Sequence, residues 1–411
     1  MQTDKYDLIV FGATGFVGQI ICRYLVGHYA SEDQPLRWAI AGRSKTKLEQ
    51  LKHSLGQQAN DLPIIVANAS DEASLLEMCQ QTRVVMSTVG PYALYGEPLL
   101  KVCAESGTDY CDLTGEPQWI KKMLERYEQT AKASGARIVN CCGFDSIPSD
   151  FGVWFIQQQA IAKFGKPLSQ IQMRVKAMRG GFSGGTAASL MCALEQASED
   201  PELRREMVNP YSLCPEHHGL NTRQFNQKGP RFDESYKAWS APFVMAAINT
   251  RIVHRSNALT GNSYGSDFQY DEAMLTGRGF KGRLTAIMLT GGLATLMVGG
   301  SFSPTRSLIS RFMLPKPGEG PSPKAQETGF YDMRFWGQTD DGQTLRAKFT
   351  GDKDPGYGST AKILSQAAIC LARELTHEQT PGGFWTPSTA FGEKLLPRLR
   401  DYAGVVCELL E

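Results

Sequence analysis

The sequence predicts an α/β protein, a doubly wound parallel sheet followed by a second domain of α+β character. Three observations carry this. Short apolar runs alternate with amphipathic stretches from Tyr6 to Asn140; a glycine-spaced turn joins the first run to the first amphipathic stretch; and beyond about Gly152 the runs change to an alternation of apolar and charged residues. We divide the chain accordingly into residues 1–152, residues 153–353 as the second domain for substrate binding or dimerisation, and a C-terminal helical segment, 354–411, that packs back on the first domain.

Tyr6–Phe11 (YDLIVF) is too short and too apolar for a surface helix and reads as a buried strand; a helical pattern follows through about Tyr29. The unit then recurs. Strands at Arg37–Ala41, Pro63–Ala67 and Arg83–Val89 precede helices near Lys45–Leu55, Asp71–Gln81 and Glu97–Ser106. Asp109–Asp112 and Ala136–Asn140 flank a long helix from Pro117 to Ser134. Strands separated by helices of this length require crossovers, which make the sheet parallel and cover both its faces. Gln170–Met178 alternates as a half-buried strand should, a helix is expected near Ala187–Ala197, and Pro315–Pro323 reads as a linker. Phe330–Trp336 and Thr344–Thr350 form strands about the turn Asp340-Asp341-Gly342, before a helix from about Ala361 to Glu374.

Composition excludes several classes of function. The 411 residues carry 43 Lys+Arg against 42 Asp+Glu, so no net basic field attracts nucleic acid. The ten cysteines lack a C-x-x-C spacing and His217-His218 is the sole histidine pair, so we expect reduced, mostly buried thiols and no metal site. Met1–Lys5 runs into the first strand without a basic and apolar leader, which gives a cytoplasmic expectation.

The turn Gly12-Ala13-Thr14-Gly15-Phe16-Val17-Gly18 has the spacing of a dinucleotide loop, here in the context such a loop requires, directly after a strand and opening a helix. Gly12 permits the turn, Gly15 lets the backbone approach a pyrophosphate, and Gly18 lets helix and strand pack closely. Thr14, Phe16 and Val17 complete the cradle. The second strand ends in Ala41-Gly42-Arg43-Ser44-Lys45-Thr46-Lys47, without the acidic residue that would take a ribose 2′-hydroxyl. Arg43, Ser44 and Lys47 instead suit a 2′-phosphate, which points to NADP(H) as cofactor. Val89-Gly90-Pro91 after the fourth strand falls at the carboxyl edge of the sheet, where the nicotinamide should rest.

Two side chains near that edge are candidates for the chemistry: Tyr92 as a proton donor, if a nearby cation lowers its pKa, and Asp145 as an orienting or proton-relaying carboxylate. The bland alternatives are an aromatic wall for Tyr92 and a turn for Asp145. Ser146, Ser149 and Asp150 read as caps of the next helix, Thr114 and Glu116 as signals for the helix at Pro117. Gly180–Thr186 is a further glycine loop, with a substrate-side contact as one reading.

Leu284–Thr305 contains no charged residue, and Lys281, Arg283, Arg306, Arg311 and Lys316 flank it. Its threonines, serines and glycines weaken the case for a simple span; contact with a membrane surface and burial between domains are the two readings left open.

Taken together, GATGFVG, AGRSKTKL, STVGPYALYG (Ser87–Gly96), DYCDLTGE (Asp109–Glu116) and CCGFDSIPSDFGV (Cys141–Val153) resemble the saccharopine dehydrogenase-like oxidoreductases, and among them the trans-acting enoyl reductases. The likeness continues through Ser183-Gly184-Gly185-Thr186, Lys316–Pro321 and Asp354–Gly358 to Thr386-Pro387. It implies a Rossmann domain binding NADP(H), a second domain over the nicotinamide end, and reduction of an enoyl, carbonyl or imine group on a lipid-like substrate. The alternatives are a saccharopine-type amino-acid dehydrogenase, using Arg174, Arg179, Arg223 and Arg231 on carboxylates, and an NADP-binding protein of lipid surfaces without turnover. A homodimer is an open expectation.

Overall fold

The structure is a computed structural model; it describes residues 5–29, 35–180, 184–301, 320 and 322–411. Six strands come from the first part of the chain: β1 (Tyr6–Phe11), β2 (Trp38–Gly42), β3 (Ile64–Val66), β4 (Thr82–Ser87), β5 (Asp109–Asp112) and β6 (Arg137–Val139). Then follow β7 (Gln170–Arg179), β8 (Arg231–Asp233), β9 (Ala238–Pro242), β10 (Gln269–Gly277), β11 (Phe330–Gln338), β12 (Thr344–Gly351), β13 (Gly383–Trp385) and β14 (Val405–Leu409). The first sheet runs β13-β6-β5-β4-β1-β2-β3 with every pairing parallel. Its order reverses between β1 and β4, so their carboxyl ends diverge and leave a crevice. β2 is buried throughout and β1 beyond Tyr6, which is why they read as continuous apolar runs.

The second sheet runs β14-β12-β11-β7-β10-β9-β8 and is antiparallel except between β7 and β10. β11 shows the strict alternation of a sheet with one covered face. The cover is the helix Ile147–Phe164, which packs along β11 and β12. A domain boundary at residue 152 therefore cuts through a helix. A Cβ at Gly152 would stand 2.1 Å from Phe335 Cζ, so this glycine admits the aromatic ring of β11 against the helix backbone.

The C-terminal segment joins both layers. Its helix Thr360–Arg373 packs on β1, β4 and β5, β13 extends the first sheet and β14 the second. Strand character in 383–385 and 405–409 escaped the helical reading of this segment, because three- and five-residue edge strands have no periodicity to detect. The linker expected at Pro315–Pro323 lies largely outside the described residues.

Arg137 fastens the returning helix. Its backbone N–H and side chain bond Asp109, and its guanidinium donates to the carbonyls of Leu371 (2.9 Å) and Leu375 (3.0 Å) at the end of that helix. Both partners of the pair are almost wholly buried. Arg137→Ala strands a buried carboxylate and should cost about 3–5 kcal/mol in denaturant-induced unfolding, whereas the exposed Arg400→Ala should change stability by less than about 1 kcal/mol.

Candidate active site at the carboxyl edge of the first sheet

The glycine loop is built as tightly as its spacing implies. Gly12 sits at φ +86°, and a Cβ there would lie 2.7 Å from Thr88 Oγ1 and 2.8 Å from Val89 Cγ2. At Gly18 it would lie 2.3 Å from Gly12 O. Gly15 donates to Gly12 O at 2.9 Å and faces solvent. Thr88 Oγ1 donates back to the carbonyls of Phe11 and Gly12, tying the β1 turn to the β4 loop. The helix Phe16–Tyr29 starts here, so its first N–H groups have no intrahelical acceptor and form an anion site at the β1/β4 crevice. Phe16 meets Tyr357 edge to face with ring centroids 4.7 Å apart, bringing the C-terminal segment against the loop.

Arg43 leaves the end of β2 exposed and, among the described residues, without a carboxylate partner; Lys47 is also exposed and unpaired. Ser44 caps the helix Lys45–Ser54 by accepting from Lys47 N, which leaves its own hydroxyl proton to donate. Val66, at the end of β3 and in register with Gly42, is an apolar side chain 51 % exposed on the same edge.

Val89, Gly90 and Pro91 follow β4 and lead into a short helix, Tyr92–Tyr95. The Tyr92 and Ala93 N–H groups, both 2.9 Å away, donate to the two carboxylate oxygens of Glu116. Ser189, on the helix Gly184–Glu199, donates its hydroxyl to the same carboxylate at 2.6 Å. Glu116 is therefore more than a start signal for its own helix: it caps another and draws a second-domain helix over the β4 loop. Residues 181–183 of the Gly180–Thr186 loop lie outside the described residues.

Tyr92 is buried, its hydroxyl donating to Ser87 O (3.0 Å) and accepting from Leu113 N (3.3 Å). Burial, reinforced by Asp112, Asp145 and Glu116, raises its pKa well above the ordinary phenol value. The proton-donor reading needed the opposite shift, so Tyr92 stands as a structural wall. Asp150 also departs from the sequence reading. It accepts from Ser256 Oγ (2.5 Å) and Ser388 N (2.7 Å), capping the distant helix Pro387–Phe391, while Ser146 Oγ donates to Asn249 rather than to its own helix.

Asp145 behaves differently. One carboxylate oxygen, Oδ2, is shut from solvent and has no hydrogen-bond partner. The group lies between the loops after β5 and β6, where a Cβ at Gly115 would come within 3.9 Å of Asp145 Oδ1 and 3.8 Å of Met245 Cε. Burial above all, with Asp112 as a like-charged neighbour, raises its pKa to about 7. A carboxyl group that holds its proton near neutrality beside a crevice can lend it to a reacting centre. The two sequence candidates thus differ: burial raises the Tyr92 phenol, opposite to the shift its proton-donor reading required, and leaves Asp145 with an unpartnered carboxyl oxygen. Of the four arginines of the amino-acid dehydrogenase reading, Arg174 is buried and already bonded to Asp233 and Asp271, whereas Arg231 is exposed on β8.

Residues 8–139 match the family model of the saccharopine dehydrogenase NADP binding domain. The chain is 37 % identical to a trans-acting enoyl reductase of Mycobacterium bovis, covering 98 % of this chain and 97 % of that one. To a trans-acting enoyl reductase of Mycobacterium ulcerans it is 36 % identical, with the same coverage. In fold it is similar to apo saccharopine dehydrogenase (L-Glu forming) of Saccharomyces cerevisiae, with TM-score 0.52 and 13 % identity over 98 % of this chain and 99 % of that one. The protein is an NADP-dependent oxidoreductase of the saccharopine dehydrogenase-like class. Within that class, the chain belongs to the trans-acting enoyl reductase family.

The residues fit the cofactor: a glycine cradle at a helix N-terminus for the pyrophosphate, and, for the 2′-phosphate, an exposed arginine with no carboxylate partner among the described residues beside a serine hydroxyl. Arg43→Ala should weaken NADPH binding at least tenfold in a fluorescence titration and leave NADH binding nearly unchanged; equal losses for both would remove the 2′-phosphate assignment. A second outcome concerns pH. Burial holds the carboxyl groups of Asp112 and Asp150 at about 6 and those of Asp145 and Glu272 at about 7. Each binds its proton more readily in the folded chain than in the unfolded one, so its contribution to stability is fully present below the ordinary carboxylate range, about pH 4, and is lost as pH rises through these values. Thermal melts should show Tm increasing as pH drops from about 8 to about 5, and a flat profile would contradict the shifts.

Proposed function

We propose that this protein reduces the double bond of an enoyl group on a lipid-like acyl substrate, with carbonyl or imine reduction as the nearest related chemistry, and that it works in the cytoplasm at the periphery of a membrane. The observation that carries the reading is the unpartnered carboxyl oxygen of Asp145, whose pKa burial raises to about 7, at the carboxyl edge of a dinucleotide-binding sheet. Bound NADPH supplies a hydride. Reduction of a polarised double bond also needs a proton at the neighbouring carbon, and Asp145 is the group placed to hold it. Leu113, Phe144 and Met245 line the surrounding loops with apolar surface, which suits an acyl chain better than a charged amino acid. The names of the relatives support the enoyl class.

The experiment is NADPH oxidation by the purified protein with a long-chain 2-enoyl thioester, compared with a ketone and an amino-acid imine. The enoyl substrate should be turned over, and Asp145→Asn should lower kcat by about a hundredfold or more while NADPH affinity is kept. Turnover of the imine alone would transfer the protein to amino-acid chemistry. NADPH binding with no turnover of any substrate would leave a cofactor-binding protein without catalysis.

A further inference from the structure

The helix Gly279–Ser301 is constructed inside out for a water-soluble protein. Its buried positions are Gly282, Ala286 and Gly300. A Cβ at Gly282 would stand 2.2 Å from Gly277 O, and one at Gly300 2.6 Å from Leu194 Cδ1, so small residues press this helix onto the end of β10 and onto the helix Gly184–Glu199. The large apolar residues face the other way. Phe280 is 78 % exposed, Met288 60 % and Val298 61 %, with Leu284, Ile287 and Leu289 each more than two-fifths exposed. Length and composition would let the helix cross a membrane, but its seat on β9 and β10 holds one side against the protein. Residues 302–305, the end of the uncharged run in the sequence, lie outside the described residues.

Charge is confined to one end. Arg278, Lys281 and Arg283 are exposed at the start of the helix, none has a carboxylate partner among the described residues, and Arg278–Ser301 contains no acidic residue. Cations at a helix N-terminus oppose the dipole and are favoured there only by an external anion. Arg283 lies over the Trp239 ring, 5.4 Å from its centroid, placing an indole of β9 beside this collar. At 3.6 residues per turn the exposed apolar side chains sweep more than half of the circumference, wider than the roughly 100° stripe with which a helix meets one protein partner. A broad apolar face with a basic and aromatic collar matches a lipid surface bearing anionic headgroups.

We propose that the outer face of Gly279–Ser301 seats this protein on an anionic bilayer, its apolar side chains entering the acyl boundary and Arg278, Lys281 and Arg283 meeting lipid phosphates. This deepens the membrane-peripheral reading above, and its test involves no turnover, so seat and reaction can fail independently. The full-length protein is floated with vesicles of phosphatidylcholine alone and of equal parts phosphatidylcholine and phosphatidylglycerol, at low and high salt. It should float with the mixed vesicles, much less with the neutral ones, and less at high salt. Lys281→Glu with Arg283→Glu should reduce flotation at least about tenfold, and Phe280→Ser with Leu284→Ser and Met288→Ser should abolish it. Both variants should keep wild-type NADPH affinity, which reports that they are folded. Failure of the wild-type protein to float overturns the proposal even if a variant cannot be made. So does a wild-type dimer in sedimentation that the triple serine variant dissociates without any flotation, since the face would then belong to a second copy of the chain.

Discussion

The site depends first on one buried carboxylate. Asp112 closes β5 with no exposed surface and accepts hydrogen bonds from the Tyr110 hydroxyl, the Asn140 amide and the N–H groups of Thr114 and Cys141, all between 2.8 and 3.1 Å. Its own carbonyl accepts from Cys142 N at 2.7 Å. Where parallel strands end, the backbone of each loop loses its ladder partners, and burying such groups unpaired costs free energy. Asp112 supplies the missing acceptors for two loops at once. It holds Cys141 at a φ of +60°, a conformation seldom taken by a residue with a side chain. The loop after β6 thereby brings Asp145 against the loop after β5, and that loop brings Glu116 under the Tyr92 helix.

The two sheets are joined by polar contacts as well as by apolar packing. Asn249 takes the Ser146 hydroxyl and donates to Glu272, which also accepts from Tyr270. Nearby, Asp150 gathers Ser256 and Ser388, and Ser256 meets Thr386. Hydrogen bonds of defined direction permit fewer relative placements of two layers than apolar contact does. These contacts fix the second sheet against the loops of the first, and they bury Glu272 deeply enough to raise its pKa to about 7.

Electrostatics divides the molecule by role. The cofactor's phosphate end is met by exposed cations that need no rearrangement to receive an anion. The reacting end instead holds buried carboxyl groups beside apolar side chains, Asp145 among them with its pKa raised to about 7, an arrangement that strengthens any polar interaction made there. The basic collar of the surface helix lies on the second sheet, apart from both.

Much of the first domain was legible in the residues, because a parallel sheet buried on both faces demands apolar runs and a dinucleotide loop demands glycine at fixed spacing. Gly12, Gly15, Gly18 and Arg43 announce themselves, since the backbone geometry or the charge each supplies can come from few other residue types. The stretch from Pro201 to Gly277 was not legible: β8 and β9 are three- and five-residue strands, and the helix Ala246–Leu259 is buried along most of its length, so neither period shows. Partnership was hidden as well. Nothing local distinguishes Glu116, which caps a helix earlier in the chain, or Asp150, which caps one far downstream, from residues capping their own helices. The sequence by itself determined the parallel sheet, the cofactor and the family motifs, for these rest on short-range pattern. Only the tertiary structure decided that the Tyr92 hydroxyl is buried against the backbone, that Asp145 has an unpartnered carboxyl oxygen and that the apolar helix turns outward, because burial and partnership are set by residues distant in the chain.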